Sequence, residues 1–522
     1  MRAPSVNLPE RVNAAVDFVD ANVAAGRGEK LAIINADDGS SYTYNDVLAQ
    51  TNRTGNALLH LGVRREERVM LLLLDSPEFV FNFFGAIKIG AVPIPTNTLL
   101  TPADYEYMIN DSRARVLVVS EALLPQVEPI LANLRHLDHV IVVGRPGEGQ
   151  LAYRELIDAM SAELSPVDLS KDDACFWLYS SGTTGPPKGA VHLQHDMQVE
   201  ADLYARPTLE ITDRDRTFSV AKLFFAYGLG NGLYFPFRVG ATTVLHPGRP
   251  DPARVFEIID AYRPTLFYSV PTSYAGLLAI NDAADRYDTS SLRLCVSAGE
   301  SLPASLYERW KQRFGVEILD GIGSTEILHI FISNRKGRVK PGSTGEIVPG
   351  YEARIVDERG NDVPDGEIGD LLIKGDSTCS CYWNQHEQTK NTIEGHWIRT
   401  GDKYSRDEDG YFWHQGRSDD MLKVGGIWVS PVEVEHALVQ HQAVLECAVV
   451  GVEDSEKLAK PKAYVVLEDA SQAGDELASQ LQSFVKSKVA VYKYPRSIEF
   501  IPELPKTATG KIQRYKLRHR AR

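Results

Sequence analysis

The stretch Tyr179-Ser180-Ser181-Gly182-Thr183-Thr184-Gly185-Pro186-Pro187-Lys188-Gly189 gathers glycines, serine and threonine hydroxyls and one lysine in a single loop. Glycines let main-chain N–H groups approach phosphate oxygens with no Cβ in the way, hydroxyls add donors, and the lysine supplies charge. The composition therefore suits a backbone that wraps a triphosphate. The common nucleotide P-loop needs Gly, four residues, then Gly-Lys-Ser/Thr. Gly185-Pro186-Pro187-Lys188-Gly189 breaks that spacing, so a P-loop kinase or GTPase is disfavoured. A second lysine-bearing loop, Leu504-Pro505-Lys506-Thr507-Ala508-Thr509-Gly510-Lys511-Ile512-Gln513-Arg514, stands at the far end of the chain.

Outward from the first loop, strand-like and helical stretches alternate. Residues 69–74 read as a buried strand, 78–89 as a helix stopped near Gly90, 115–119 as a strand, 121–134 as a helix and 140–143 as a strand. Strand candidates 265–270 and 292–297 repeat the pattern after the loop. Such βαβ alternation predicts an α/β fold with mostly parallel sheets covered by helices, here in two subdomains. From about Gly345 the texture changes to short strands between turns, at 346–350, 353–357 and 370–375, which predicts a small antiparallel, β-barrel-like unit. Ser430-Pro431-Val432-Glu433 is a helix start with Ser at the N-cap, Pro first in the helix and Glu three after the cap. Strand-like 445–450 and 462–467 and helical 475–487 follow, so residues 419–522 are expected to form a small α+β C-terminal domain after a large N-terminal domain at 1–418.

A chain of 522 residues exceeds what one compact core organises. With 56 Lys and Arg against 70 Asp and Glu, the formal charge of −14 argues against a general nucleic-acid or anionic-membrane surface. Residues 1–10 lack the apolar stretch of a secretory signal, and the apolar run at 69–74 is too short to span a bilayer. A soluble, cytoplasmic protein is expected. Five scattered cysteines predict reduced thiols; Cys379 and Cys381 form a lone C-x-C, so no structural metal is assigned.

Between the two lysine loops stand four further motifs: Ser297-Ala298-Gly299-Glu300, Asp320-Gly321-Ile322-Gly323-Ser324-Thr325-Glu326, Trp397-Ile398-Arg399-Thr400-Gly401-Asp402, and Gly416-Arg417-Ser418-Asp419-Asp420-Met421-Leu422-Lys423-Val424-Gly425-Gly426. Alone, Ser-Thr-Glu reads as a helix cap and the last segment as a charged linker. In this order the series resembles, over nearly the whole chain, the acyl-adenylate-forming superfamily of acyl-CoA synthetases, amino-acid adenylation domains and beetle luciferases. Such enzymes attack the α-phosphate of ATP with a carboxylate while pyrophosphate leaves, so the site must gather positive charge and donors.

The resemblance implies that Ser180, Ser181, Thr183, Thr184 and Lys188 serve the phosphates. Ala298, Gly299, Glu300, Asp320, Gly321 and Ile322 lie by the adenine, with Ile322 replacing the usual tyrosine by an apolar face. Thr325 bonds the α-phosphate, and Glu326 holds Mg2+. Asp402 takes the ribose hydroxyls with Arg417 beside it, and Lys511 reaches the carboxylate and the α-phosphate. The C-terminal domain then turns about Asp419, withdrawing Lys511 and presenting Val424, Gly425 and Gly426 to the pantetheine arm of CoA. Acetylation of Lys511, a recurrent control in related synthetases, is the implied switch.

The segment Lys222-Leu223-Phe224-Phe225-Ala226-Tyr227-Gly228-Leu229-Gly230-Asn231 has no acid to pair with a substrate ammonium, which weakens an amino-acid substrate. Together with Gly321-Ile322-Gly323-Ser324-Thr325-Glu326-Ile327-Leu328-His329-Ile330-Phe331 it resembles benzoate-CoA ligases. That implies a small, flat, mostly apolar slot formed by Ala226, Tyr227, Gly323, His329 and Ile330, with Lys511 at the carboxylate. The expected enzyme uses ATP, Mg2+ and CoA to convert an aryl carboxylate to its adenylate and then its CoA thioester, with no nucleic-acid or membrane partner and with a homodimer left open. The alternatives are a medium or branched-chain fatty acyl-CoA synthetase, or an aryl-adenylating enzyme that loads a separate carrier protein.

Overall fold

A computed structural model describes residues 6–180, 186–417, 420–424, 427–453, 459–490, 493–506 and 512–520. Apolar runs such as Val69 to Leu72 and Val116 to Val119 leave no polar face, as expected of strands covered on both sides. They lie in a five-stranded parallel sheet, where Arg68–Leu72 sits between Val92–Pro95 and Val116–Ser120, and His139–Val143 and Leu151–Ala152 extend it. The helix Pro77–Lys88 packs its phenylalanines into the main core and gives way at Gly90, whose φ is +74°. The stretch expected as one helix at 121–134 breaks instead into Glu121–Leu123, Leu124–Val127 and Glu128–Asn133. Pro125 and Pro129 each remove a main-chain donor and crowd the preceding turn.

The second sheet has nine strands. Leu31–Asn35, Thr242–Leu245, Arg216–Ser219, Leu266–Ser269, Leu294–Ser297 and Ile318–Gly323 form its parallel centre. Ser41–Thr43 closes one edge antiparallel, and Ile330–Ser333 then Glu346–Ile347 close the other. Glu346–Ile347, expected in the small β-unit, is thus the last strand of this sheet. Gly345 makes the junction possible: at φ +101° a Cβ there would stand 2.0 Å from the carbonyl carbon of Ser333, so only glycine fits.

The β-unit itself is a five-stranded antiparallel sheet built from Glu352–Val356, Gly369–Lys374, Trp397–Arg406, Ile393–Glu394 and Phe412–Arg417. Ala174–Ser180 and Lys188–Leu193 form a hairpin joined by Cys381–Tyr382. The hairpin is pinned from both faces, since Phe176 and Leu178 enter the main core while Trp177 enters the core of the parallel sheet.

Beyond the β-unit, Ser430 caps the helix Pro431–Leu438 by accepting the Glu433 N–H at 3.2 Å. The Glu433 carboxylate does not return to the cap; it pairs with Lys493 at 2.5 Å. Strands Val444–Glu453, Ala459–Leu467 and Ser497–Phe500, with helices Asp475–Lys488 and Arg514–Arg520, complete this α+β unit. Its own apolar core includes Leu422, Val434, Leu438, Val449, Val465 and Leu481. Among the described residues no helix is long and apolar enough to cross a membrane.

Candidate active site

The hairpin brings its two ends into register, Ser180 opposite Lys188, and so closes the loop between them. Ser181, Thr183 and Thr184 of that loop lie outside the described residues, as do Asp419, Gly425, Gly426 and Lys511; of Val424, only its place on the strand Leu422–Val424 is described. Ser180 donates its hydroxyl to Glu326 Oε1 at 3.2 Å. The same oxygen accepts the Tyr382 hydroxyl at 2.7 Å, and the Lys188 ammonium stands 4.8 Å from the centre of the Tyr382 ring. Burial and the Glu326 carboxylate push the Tyr382 phenol up, which keeps it a donor. Tyr382 is a site residue that the sequence motifs missed. No local signal marks it; the pairing of Cys381–Tyr382 with Val191 and Ala190 delivers it.

Glu326 belongs to the one-turn helix Thr325–Ile327 at the end of Ile318–Gly323. The turn's carbonyls are tied down: Thr325 O accepts His192 Nε2 at 2.8 Å, Glu326 O the Cys379 N–H at 2.7 Å, and Ile327 O the Ser377 hydroxyl at 2.8 Å. Leu328, buried, leaves the turn at φ +78°, a strained conformation for a side chain of that size. Gly323 and Gly321 are required by close approach, because a Cβ on Gly323 would stand 2.3 Å from His329 O and one on Gly321 would stand 2.9 Å from Ile332 O.

Asp320 points inward. Its carboxyl is buried and accepts the Leu302 N–H at 3.4 Å, and burial raises its pKa well above the carboxylate range. Only its backbone is left to face a nucleotide. Ile322 is half-buried beside the main core, and Ala298 is buried at the end of Leu294–Ser297. Gly299 turns the chain at φ +92°. Glu300 accepts the Thr272 hydroxyl at 3.2 Å and, through its other oxygen, the N–H of Ile512 at 3.2 Å. The residue next to Lys511 in the chain is thereby held against the adenine-side turn of the N-terminal body.

Asp402 and Arg417 face each other in register across two strands of the antiparallel sheet. Arg417 Nη1 donates to Asp402 Oδ1 at 3.3 Å, and a Cβ on Gly401 would come within 2.9 Å of the guanidinium. His414 Nε2 is 3.7 Å from the same carboxylate oxygen. A carboxylate is an acceptor with two oxygens, which suits it to ribose hydroxyls.

Tyr227 and His329 meet in the slot with ring centroids 5.4 Å apart. Tyr227 spends its hydroxyl on the carbonyls of Ser269 and Val296, 3.2 Å each, so it offers the slot a ring and not a donor. His329 is enclosed by Tyr204, Tyr227, Tyr234 and Phe235. Burial lowers its pKa to about 3, and Nε2 lies 3.1 Å from both Tyr227 O and Asn231 Oδ1. The ring is therefore a neutral imidazole that donates from Nε2. A Cβ on Gly230 would strike it at 2.4 Å. Ala226 and Ile330 are buried, the latter with its side chain packed over Gly321. Tyr204 and Tyr234 stand outside the segments quoted for the slot; the fold brings both against His329, as it does Asn231 of the 222–231 segment.

A family model for AMP-binding enzymes matches residues 20–383, and one for the AMP-binding enzyme C-terminal domain matches residues 433–511. The chain belongs to the AMP-binding enzyme family. Among its relatives, the benzoate–CoA ligase of Thauera aromatica is 53% identical over 99% of this chain and 97% of its own. The 4-hydroxybenzoate–CoA/benzoate–CoA ligase of Rhodopseudomonas palustris is 46% identical over 97% and 94%. Two solved structures superpose closely. The anthranilate CoA ligase AuaEII in complex with anthranoyl-AMP gives a TM-score of 0.95 at 48% identity, covering 98% of each chain. A benzoate CoA ligase from Burkholderia xenovorans gives 0.90 at 48%, covering 97% of this chain and all of the other.

Proposed function

We propose that this chain is an ATP-dependent benzoate–CoA ligase. The observation that carries the reading is the short segment 323–330. Its Thr325–Ile327 turn holds the carboxylate that gathers Ser180, Tyr382 and Lys188, and its far end walls the aromatic slot with His329 and Ile330. A ring lying in that slot carries its carboxylate to the phosphate side of the same segment. The identity of 53% to a benzoate–CoA ligase supports the same substrate class, and the four aromatic side chains around His329 suit a ring better than a long acyl chain.

In the first step a carboxylate oxygen bonds to the α-phosphorus as the bond to pyrophosphate breaks. In the second, the CoA sulfur bonds to the acyl carbon as the bond to AMP breaks and the thiol proton passes to solvent. Lys188, Ser180, Ser181, Thr183 and Thr184 hold the leaving phosphates, Thr325 and Lys511 meet the α-phosphate, and Asp402 with Arg417 orients the ribose. Glu326 fits a magnesium ion. It is a hard oxygen ligand in a half-exposed position, and among the described residues no cluster of three His, Cys, Asp or Glu offers an all-protein cage. Bound there, such an ion would be held by Glu326 and would supply positive charge to offset that of the phosphate oxygens.

Residues 1–418 form the adenylate-forming body in this reading and 419–522 the domain that brings Lys511 in and, after turning at Asp419, brings Val424, Gly425 and Gly426 to the thiol. The Glu300 to Ile512 contact supports the adenylating pose. Acid-dependent ATP–pyrophosphate exchange over benzoate, its hydroxy and amino derivatives, hexanoate and octanoate, followed by detection of CoA thioester, tests the reading. Benzoate should lead; a preference for octanoate, or adenylation with no transfer to CoA, would remove it.

A further inference from the structure

His192 belongs to no motif that reads as catalytic, yet it sits fully buried on the strand Lys188–Leu193 with each ring nitrogen committed. Nε2 lies 2.8 Å from the carbonyl oxygen of Thr325 and Nδ1 lies 2.8 Å from Asp196 Oδ2. A carbonyl only accepts, so Nε2 carries a hydrogen. Asp196, itself fully buried, also takes the Leu193 N–H at 3.1 Å, and the imidazole stacks on Phe176 at 5.2 Å, so the ring is fixed in place and in rotation. Lys188 and His192 are four apart on one strand, so their side chains leave the same face. Lys188 stands over the Tyr382 ring that bonds Glu326, and His192 holds the carbonyl one residue earlier.

We propose that His192 is a positioning residue for the triphosphate site: by gripping the Thr325 carbonyl from the strand that carries Lys188, it sets the Thr325 hydroxyl and the Glu326 carboxylate at a fixed reach from that lysine. The other two anchors of the turn, Cys379 N–H and the Ser377 hydroxyl, come from the segment that runs into Cys381–Tyr382 and reach the Lys188 strand only through that second pairing, whereas His192 reaches the turn from the strand itself. The inference rests on the reading that Thr325 and Glu326 serve the phosphates and their cation. A buried polar pair is costly, and Asp196 Oδ1 makes no hydrogen bond among the described residues, so an apolar pair would pack the hairpin at lower cost.

The test uses the full-length enzyme and separates the two ring nitrogens. Glutamine places its amide nitrogen near the Nε2 position and asparagine near Nδ1. His192→Gln should stay within about threefold of wild type in ATP–pyrophosphate exchange, whereas His192→Asn should lose about tenfold or more and need a higher Mg2+ concentration for half-maximal rate. In His192→Asn the KM for benzoate and the rate of thioester formation from supplied benzoyl-adenylate should stay within about twofold. If the Asn variant does not fold, Asp196→Leu, which is close in shape and offers Nδ1 no polar partner, carries the same expectation. Equal loss in the Gln and Asn variants, or parallel loss of both half-reactions with falling Tm, would show a purely structural histidine and overturn the proposal. Glu326→Gln run alongside separates the two levels. An unchanged Mg2+ requirement there refutes the reading of Glu326, while an impaired Glu326→Gln beside an unimpaired His192→Asn refutes only the role of His192.

Discussion

On one side of the turn Thr325–Ile327, the half-buried Glu326 accepts from the half-buried Ser180 and the buried Tyr382, with the half-buried Lys188 close by. On the other side, His329 is buried among four aromatic rings and Tyr227 has its hydroxyl already spent on two carbonyls. The two sides are a few residues apart. The first side is polar and partly open to solvent, and the second is aromatic and largely buried. In the proposed reading the first would serve the phosphates and the second would select the acid by shape and apolar contact. The lesson is that the chemistry and the choice of substrate should respond to different mutations.

Lys511→Ala gives the largest expected separation. Adenylation should fall by about a hundredfold or more, the scale of a charge aimed at a developing transition state, while thioester formation from supplied benzoyl-adenylate persists. Equal loss of both half-reactions, measured by pyrophosphate exchange and thioester assay, would break the division of labour. Asp419→Pro should reverse the pattern, because a fixed φ at the pivot obstructs rotation but spares the phosphate side. Persisting exchange with collapsed CoA ligation is the expected result; normal ligation places the hinge elsewhere.

On the ring side, Ile330→Ala should cost benzoate about 1–3 kcal/mol in kcat/KM and admit bulkier para-substituted benzoates, with the KM for ATP unmoved. A shift in ATP affinity of the same size would mean that the two sides are not separable. Tyr382→Phe removes the hydroxyl that Glu326 accepts and should cost about 1 kcal/mol, or roughly fivefold, in adenylation without altering the ranking of acids. The smallest expected effect is a null one. His329, with its pKa lowered to about 3, stays neutral, so benzoate affinity should show no histidine inflection between about pH 5 and 9. Stability should respond, however. The unfolded chain takes up the proton near the ordinary value of 6.5 and the folded one only near 3. The folded state therefore loses up to about 1.4 kcal/mol per pH unit as pH falls below 6.5. A benzoate KM that rises as pH drops through 6 to 7 would show His329 to be exposed and titrating.

Much of the fold was legible because its signals are local. The apolar strands of both parallel sheets, the stop at Gly90 and the cap at Ser430 each depend on residues within a turn of one another. The helix expected at 121–134 failed where two prolines outweighed apolar periodicity, and Glu346–Ile347 joined an unexpected sheet because strand pairing is a long-range choice. The residues around Glu326 divide the same way. Ser180, Lys188, Thr325 and Glu326 stand in motifs whose side chains and short spacing are those the proposed phosphate chemistry would need. Tyr382, His192, Asp196 and Tyr204 carry no such mark.

By itself the sequence determined the α/β architecture, the succession of nucleotide motifs and the acid-free slot, since residue type and spacing decide local hydrogen bonding, turn geometry and charge. Only the tertiary structure decided that Tyr382 reaches Glu326 from a strand 56 positions away, that Tyr227 has no hydroxyl to give, that Asp320 points inward and that His192 grips Thr325. Those outcomes depend on which strands pair and which side chains share a buried volume, and many residue combinations satisfy the same local rules.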